Sequence, residues 1–185
     1  MKIIALETWP VKMRLAEPYT IAYETIDSCT NVFLRIVTDR GPVGCGCAAP
    51  DAQVTGETPE TVRRVCEDTF VPLLLKSDPL RIAVLTEKLK PLLADHPSAA
   101  AMVDVALYDI LGKAAGIPVW KILGGFRNRI KTSITIGISS EAQTVSQARD
   151  FKLKGFKSIK IKGGKDVQLD IACLLYTSPS PRDKF

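Results

Sequence analysis

The most informative run of this sequence lies at residues 157–164 and reads Lys157-Ser158-Ile159-Lys160-Ile161-Lys162-Gly163-Gly164. It predicts a short strand. Residues two apart on a strand point to the same face, so Lys160 and Lys162 project together, away from Ile159 and Ile161. On a solvated sheet such a pair is an ordinary surface feature. Inside a parallel barrel, desolvation and mutual repulsion would favour the neutral amine, which a general base near neutral pH requires.

The residues before this run complete a β-α-β pattern. Residues 132–138 and 158–162 predict strands, and residues 141–154 predict a helix that ends at Gly155. A crossover of this length allows the two strands to pair in parallel. Two strands and one helix do not make a domain, so we expect residues 126–172 to be the truncated beginning of a parallel α/β domain.

The first 125 residues have a different organisation, in which strands precede helices. The predicted strands, which suit an antiparallel meander, are residues 2–14, 30–38 and 43–48. Thr58-Pro59 and Asp78-Pro79 each offer a helix cap followed by proline, and a third helix runs from Pro97 to Ala115 and ends at Gly116. The apolar stripe of that helix, expected in the core, comprises Val103, Ala106, Leu107, Ile110, Leu111 and Ala114. Residues 1–125 are therefore predicted to form an α+β domain.

Composition limits the classes of function. The apolar fraction of 46% and the charged fraction of 24% are ordinary for a globular protein. The net charge of +5 is scattered, with no basic stripe, so we expect no nucleic-acid partner. The N-terminal apolar run is too short for a signal peptide or a membrane span, so we expect no membrane association.

The five cysteines form no CxxC pair, which indicates a reduced, cytoplasmic protein. Cys45 and Cys47 share a face of a predicted strand and are expected to be small buried residues. His96 is the single histidine, which argues against a Ser-His-Asp triad and excludes a HExxH zinc site. It precedes the third helix and is expected at the surface or as a cap.

The last thirteen positions, residues 173–185, are set apart from the rest. The string from Cys173 to Asp183 resembles the translation of a sequencing-library adapter and interrupts a helical run at residues 166–172. We expect it to be an artefactual tail, with a short Ser/Pro linker as the alternative.

Three stretches of residues 1–172 resemble the N-terminal part of enolase-superfamily proteins of the muconate-lactonizing subgroup. The first stretch comprises residues 101–113, 116–118 and 123–125. The second is Lys160-Ile161-Lys162. The third comprises two loops, residues 17–20 and 48–57, which are similar to the cap loops of dipeptide epimerases.

The resemblance implies a capping domain at residues 1–125, with an antiparallel meander and a helical bundle, followed at residues 126–172 by the truncated start of a modified TIM barrel. It implies a dipeptide epimerase that removes the proton α to a carboxylate through an enediolate, with Mg²⁺ as the cofactor. Lys162 would take the proton, and Lys160 would assist it and contact the substrate carboxylate. The second lysine and the three metal-binding carboxylates belong to later strands that this chain lacks, so the chain alone is expected to be inactive. Asp166 and Asp170 lie in the next helix and are not expected to bind the metal.

The resemblance also implies which residues contact a small dipeptide substrate: Tyr19, Ile21, Glu24, Val54 and Thr135. Glu24 stands where epimerases of acidic dipeptides carry an arginine, which favours a cationic or neutral second residue of the dipeptide. The alternative is a solvated loop residue with no role. Gly163 is a second departure, since relatives usually have a branched apolar residue there.

Two other classes of function stay open at this point. One is a sister reaction of the same subgroup: a cycloisomerase, an o-succinylbenzoate synthase or an N-acylamino-acid racemase. The other is a non-enzymatic binding module with the capping fold. Homo-oligomerisation is compatible with each of these hypotheses.

Overall fold

The computed structural model describes residues 1–177, and the last part of the predicted tail, residues 178–185, lies outside the described residues. The chain divides into two compact units. The first unit comprises Met1–Met13 and Thr30–Phe126, and the second unit comprises Arg14–Cys29 and the chain from Arg127 on. The domain boundary predicted at residue 125 stays a prediction.

A three-stranded sheet opens the chain. Its strands, in the spatial order β1-β2-β3, are β1 (Ile3–Thr20), β2 (Thr25–Thr38) and β3 (Val43–Ala48). β2 and β3 are antiparallel, with Val32 opposite Ala48 and Val37 opposite Val43. β1 continues well beyond its predicted end at residue 14. Pro10 is tolerated within β1 because an edge strand can lack one N–H donor on its outer side.

Helices follow β3 in the first unit. They are α1 (Pro59–Val65), α2 (Val71–Leu74), α3 (Ile82–Leu89), α4 (Pro97–Ala115) and α5 (Val119–Ile122), with a π-helical turn at Cys66–Phe70 and a 3-10 turn at Lys90–Leu92. Thr58 caps α1 as predicted, since its side chain accepts a hydrogen bond from the Thr61 N–H. The second predicted helix start is wrong. α3 begins at Ile82, and Asp78 instead closes a turn by accepting a hydrogen bond from the Leu80 N–H at 3.1 Å.

The core of the first unit is formed by α4, the sheet and the other helices. Four predicted core residues of α4 are fully buried: Val103, Ala106, Leu107 and Ile110. They belong to one cluster with side chains of the strands and the preceding helices, such as Ile36 and Phe70. Two residues of the predicted stripe were placed wrongly, since Leu111 is half-buried and Ala114 is exposed near the end of the helix.

The face of β3 that meets α4 carries glycine at two of its three buried positions, Gly44 and Gly46. A Cβ atom at Gly46 would lie 1.9 Å from the carbonyl oxygen of Met102, and Gly44 is crowded by α4 in the same way. The prediction that Cys45 and Cys47 are buried is wrong, because both side chains are exposed on the opposite face. The helix backbone approaches this strand so closely that a side chain has no room, and the glycines take the inner positions.

The first turn of α4 is capped from a distant loop. The Glu57 carboxylate, in a residue that is 1% exposed, accepts hydrogen bonds from the Ser98 N–H at 2.8 Å and the Ala99 N–H at 3.0 Å. The first N–H groups of a helix lack internal partners and carry partial positive charge, so a carboxylate there is stabilised. His96 is half-buried at the N-cap position and makes no side-chain cap hydrogen bond, so its expected capping role is wrong.

The second unit contains the predicted β-α-β pattern. Its elements after residue 127 are β4 (Ser133–Ile136), α6 (Glu141–Leu153), β5 (Ser158–Ile161) and α7 (Val167–Thr177). Ser140 and Gln143 form a capping box at the start of α6, and Gly155 follows its end with a φ of 91°. β4 and β5 pair in parallel, which confirms the prediction. α7 continues to Thr177, past the predicted break after residue 172. Over residues 1–177, no helix is both long and apolar enough to cross a membrane.

Candidate active site

The parallel pair of strands fixes the positions of the two lysines. Thr135 of β4 lies opposite Lys160 of β5 in the register. The Lys162 N–H donates a hydrogen bond to the carbonyl oxygen of Ile136 at 2.9 Å, so the ladder continues one residue beyond β5. The backbone of Lys162 is therefore held by the sheet, although the strand proper ends at Ile161.

The two faces of this sheet differ in chemistry. Ile136 is 1% exposed, and Ile159 and Ile161 are half-buried. The residues between them alternate to the other face, where Lys160 is exposed and Lys162 is half-buried. This alternation is the one that the sequence predicts, with the isoleucines on one side and the lysines on the other.

A cavity of about 540 Å³ lies in the second unit beside the lysines. Both lysines, Tyr19 and Thr135 line it, so the structure brings four of the predicted site residues together. The remaining lining residues are Glu17, Pro18, Thr20, Gly137, Ile138, Ser139, Gln147 and Phe151. Two ammonium groups, a phenol and a hydroxyl in one cavity suit a small anionic substrate such as a carboxylate.

The end of β1 docks on the end of β4 and forms one wall of this cavity. The Ile138 N–H donates a hydrogen bond to the carbonyl oxygen of Thr20 at 2.8 Å. A Cβ atom at Gly137 would lie 2.9 Å from the Thr20 backbone nitrogen and 3.1 Å from the Tyr19 Cβ. The backbones touch because residue 137 has no side chain, and this contact holds Tyr19 at the cavity.

Two other predicted substrate contacts, Ile21 and Glu24, lie in the turn after β1 and do not line this cavity. The Ile21 N–H donates a hydrogen bond to the Glu24 carbonyl oxygen at 2.9 Å, which closes the turn, and the side chains of Thr20 and Thr25 share a hydrogen bond of 2.9 Å. Glu24 is exposed and Ile21 is half-buried. A charged side chain on this turn is accessible to a substrate.

Val54, the last predicted contact, belongs to the first unit. It lies in a turn in which its N–H donates hydrogen bonds to the Asp51 carbonyl oxygen at 3.1 Å and to the Asp51 carboxylate at 3.2 Å. Its side chain is 73% exposed. The turn thus presents an apolar side chain at the surface of the first unit.

Sequence reasoning missed Gln147 and Phe151 as cavity residues. They are four residues apart on α6, so they share a face of that helix, and this periodicity is the one signal that could have paired them. Nothing in the sequence directs that face toward the lysines, because the direction depends on how α6 packs on the sheet.

A metal site is absent from the described part of the chain. Over residues 1–177, no group of three or more histidine, cysteine, aspartate or glutamate side chains could hold a metal ion. Asp166 and Asp170 instead accept backbone hydrogen bonds, from Gln168 and Gly164 respectively. The residues present therefore do not fit a magnesium site.

Comparisons with known proteins place this geometry in context. Residues 3–124 match the family model described as the mandelate racemase / muconate lactonizing enzyme, N-terminal domain. The chain is 37% identical over 184 residues to an L-Lys-D/L-Arg epimerase of Desulforapulum autotrophicum, covering 100% of this chain and 52% of that protein. It is 36% identical over 157 residues to an L-Ala-D/L-Glu epimerase of Clostridium acetobutylicum, covering 85% of this chain and 44% of that protein.

Solved structures agree with these relatives. The dipeptide epimerase of Enterococcus faecalis, in complex with Mg and the dipeptide L-Leu-L-Tyr, superposes with a TM-score of 0.90 at 33% identity, covering 96% of this chain and 50% of that one. The likeness confirms the predicted fold class, a capping domain followed by the start of a barrel. The chain spans about half the length of the curated relatives that it matches.

Proposed function

The chain belongs to the mandelate racemase / muconate lactonizing enzyme family, and on that premise we propose that its intact parent is a dipeptide epimerase. The observation that carries the proposal is the pair Lys160 and Lys162 at the end of β5, on one cavity with Thr135 and Tyr19. The reaction removes the proton α to a carboxylate. Because that proton is weakly acidic, an amine base must be placed against it and the enediolate must be stabilised as it forms.

In this proposal Lys162 is the base. It is the more buried of the two lysines, and the hydrogen bond to Ile136 fixes its backbone. Lys160, opposite Thr135 in the register, binds the substrate carboxylate. Epimerisation also needs an acid on the other face of the substrate, which we assign to a lysine on a later strand of the parent.

We propose Mg²⁺ as the cofactor of the parent, since a solved relative is a complex with Mg and a dipeptide. The described residues hold no set of ligands for it. We propose that later barrel strands of the parent supply the carboxylates, and on this proposal the 185-residue chain alone is inactive.

For the substrate we propose a dipeptide whose second residue is cationic or neutral. Glu24 is exposed on the turn after the cavity wall, where a carboxylate attracts a cationic side chain and repels an acidic one. Similarity to an L-Lys-D/L-Arg epimerase supports a cationic second residue. Because another relative is an L-Ala-D/L-Glu epimerase, the experiment below also includes a dipeptide with an acidic second residue. Ile21 and Val54 are proposed as further contacts with this substrate. A cytoplasmic location and a homo-oligomeric state also stay proposals.

The test begins with the reading frame beyond residue 172, amplified from the source DNA and expressed as the complete parent. Loss of the α-proton in D₂O is then followed by NMR for Ala-Lys, Ala-Glu and uncharged dipeptides. We expect exchange in the parent, its loss in Lys162→Ala, and near-normal exchange in the matched control Lys157→Ala, which lies at the start of the same strand region. A parent that exchanges no dipeptide but converts a muconate or an N-acylamino acid would overturn the epimerase proposal.

A charge reversal tests the substrate preference separately. In Glu24→Arg the preference should move from Ala-Lys toward Ala-Glu, because the sign of the charge on the turn is inverted. An unchanged ratio of the two rates would remove Glu24 from the site while leaving the epimerase proposal intact.

A further inference from the structure

The segment after β5 is held by a side chain of α7. The Asp170 carboxylate accepts a hydrogen bond from the Gly164 N–H, with 2.7 Å between Oδ2 and the nitrogen. Asp170 lies in the first turn of α7, and Asp166, the residue before this helix, accepts hydrogen bonds from the N–H groups of Gln168 and Leu169 at 2.9 and 3.2 Å. The capped helix thus presents a carboxylate in its first turns, where the helix dipole favours negative charge.

The same carboxylate lies directly against residue 163. A Cβ atom there would lie 2.6 Å from Asp170 Oδ2 and 2.8 Å from Oδ1, closer than any side chain can come. Gly163 is not among the glycines with positive φ, whereas Gly164 has a φ of 112°. A side chain at residue 163 would therefore have to displace the Asp170 carboxylate, whereas Gly164 is favoured by its positive φ.

Gly163 directly follows Lys162 in the chain. The hydrogen bond between Asp170 and Gly164 therefore fixes the backbone after Lys162, as the sheet fixes it at Lys162. The Lys162 N–H donates a hydrogen bond to the Ile136 carbonyl oxygen at 2.9 Å. Two residues later, the Gly164 N–H donates a hydrogen bond to the Asp170 carboxylate. A lysine side chain is long and flexible, so the place that its ammonium can reach depends on a fixed backbone.

We propose that Asp170 is a positioning residue for Lys162, acting through the glycines at 163 and 164. The proposal rests on the proposed function, in which Lys162 is the base. Asp170 does not touch the substrate in this role. It stops the strand end from moving, so that the amine meets the α-proton in one geometry.

The test uses the 185-residue chain and four variants: Asp170→Ala, Asp170→Asn, Gly163→Ala and the double variant Gly163→Ala/Asp170→Ala. Amide hydrogen exchange at Gly164 and Lys162 is followed by NMR. Acetylation of the Lys162 amine is measured by mass spectrometry relative to Lys157 in the same molecule. Circular dichroism shows which variants are folded.

In Asp170→Ala the two amides should exchange about tenfold faster or more, since a hydrogen bond to a charged group is lost. The acetylation ratio of Lys162 to Lys157 should also change. Asp170→Asn keeps a side-chain oxygen at the acceptor position and should restore both readouts. Gly163→Ala should disturb Lys162 in the unaltered chain but have little further effect in the Asp170→Ala background, because the clash is then gone.

The proposal is wrong if Asp170→Ala leaves the Lys162 amide and its acetylation ratio unchanged, or if Gly163→Ala has the same effect with and without Asp170. Should Asp170→Ala fail to fold, Gly163→Ala in the otherwise unaltered chain decides the matter, because an unchanged Lys162 amide and acetylation ratio in that variant would overturn the proposal. In the complete parent, Asp170→Ala should lower kcat for α-proton exchange with little change in KM. A parent without epimerase activity would contradict the proposed function. The amide exchange data test the positioning of Lys162 by Asp170 separately, because they do not depend on turnover.

Discussion

The two units of the molecule bury very different amounts of apolar surface. In the first unit the sheet and the helices share one continuous cluster of buried side chains, from Ile3 to Ile110. In the described part of the second unit, the buried apolar side chains are Ile136, Ala148 and Cys173. Hydrophobic burial is the main source of folding free energy, so the first unit holds most of the stability, while the second holds the lysines and their cavity.

We expect the largest loss of stability from a substitution at Gly46, in the first unit. Gly46→Val places side-chain atoms where the α4 backbone already lies, and we expect a loss of about 3 kcal/mol in the free energy of unfolding. Cys47→Val, on the exposed face of the same strand, is the matched control. Urea unfolding measures both, and equal losses would show that the glycine face of β3 is not what joins strand and helix.

Next in size is the buried cap of α4. Glu57→Ala leaves the N–H groups of Ser98 and Ala99 without their acceptor, and we expect a loss of about 2 kcal/mol. Glu57→Gln keeps an acceptor but removes the charge, so its loss should be smaller. The exposed residue Glu87, in a surface ion pair with Lys90, supplies the control Glu87→Ala, which should change the stability little. If Glu57→Ala were as mild as this control, the loop would not be part of the stable unit.

Which elements could be predicted depends on where their signals lie. α4 was predicted because its start at Pro97 and its stop at Gly116 are local, and the β4-α6-β5 pattern because Gly155 marks the end of its helix. These signals are properties of a few neighbouring residues, and no packing is needed to interpret them.

The missed features depend on partners that are distant in sequence. Glu57 caps α4 from 41 positions away, and nothing at residue 57 indicates that contact. The cysteines of β3 were predicted to lie on its buried face because they are apolar. In the structure the glycines lie on that face, because the α4 backbone is too close for larger side chains. In the candidate site, period-two alternation is enough to group Thr135, Lys160 and Lys162 once the strands pair in parallel. The roles of these residues rest on the resemblance and stay a proposal.

A third prediction uses pH to probe the core of the first unit. Burial, together with the negative charges of Glu67 and Glu57, raises the pKa of the Cys66 thiol from 9.0 to about 12. In the unfolded chain the thiol ionises from about pH 9, but in the folded chain it stays protonated to higher pH. Its contribution to stability is therefore complete below pH 9 and is lost as pH rises from about 9 to 12.

Between pH 8.5 and 10.5 the free energy of unfolding should fall by about 2 kcal/mol more in the unaltered chain than in Cys66→Ala. Cys45→Ala, at an exposed thiol, is the matched control and should keep the pH dependence of the unaltered chain. Parallel curves for the unaltered chain and Cys66→Ala would mean that this part of the core is open to water.

The smallest effect is expected in the second unit. It tests whether this unit contributes less than the first unit to the free energy of unfolding. Ser140→Ala removes the capping box of α6, which should cost about 1 kcal/mol locally. Amide exchange over α6 should quicken, with little change in the urea midpoint, since the first unit dominates it. Ser146→Ala, at an exposed position within the helix, is the control. A shift of the midpoint as large as that of Glu57→Ala would show that the two units unfold as one, and the contrast between them would fail.

The loop at residues 49–56 has two fixed ends, since Ala48 is buried in β3 and Glu57 is buried at α4. Between these ends the chain is mostly exposed, with Asp51 organising a turn around Val54. Lengthening such a loop costs little, because closure entropy grows slowly with loop length. Because both ends are anchored, we expect changes within this loop to leave β3 and α4 in place. Its sequence and length can therefore vary, in evolution or in a laboratory library, while the first unit keeps its fold.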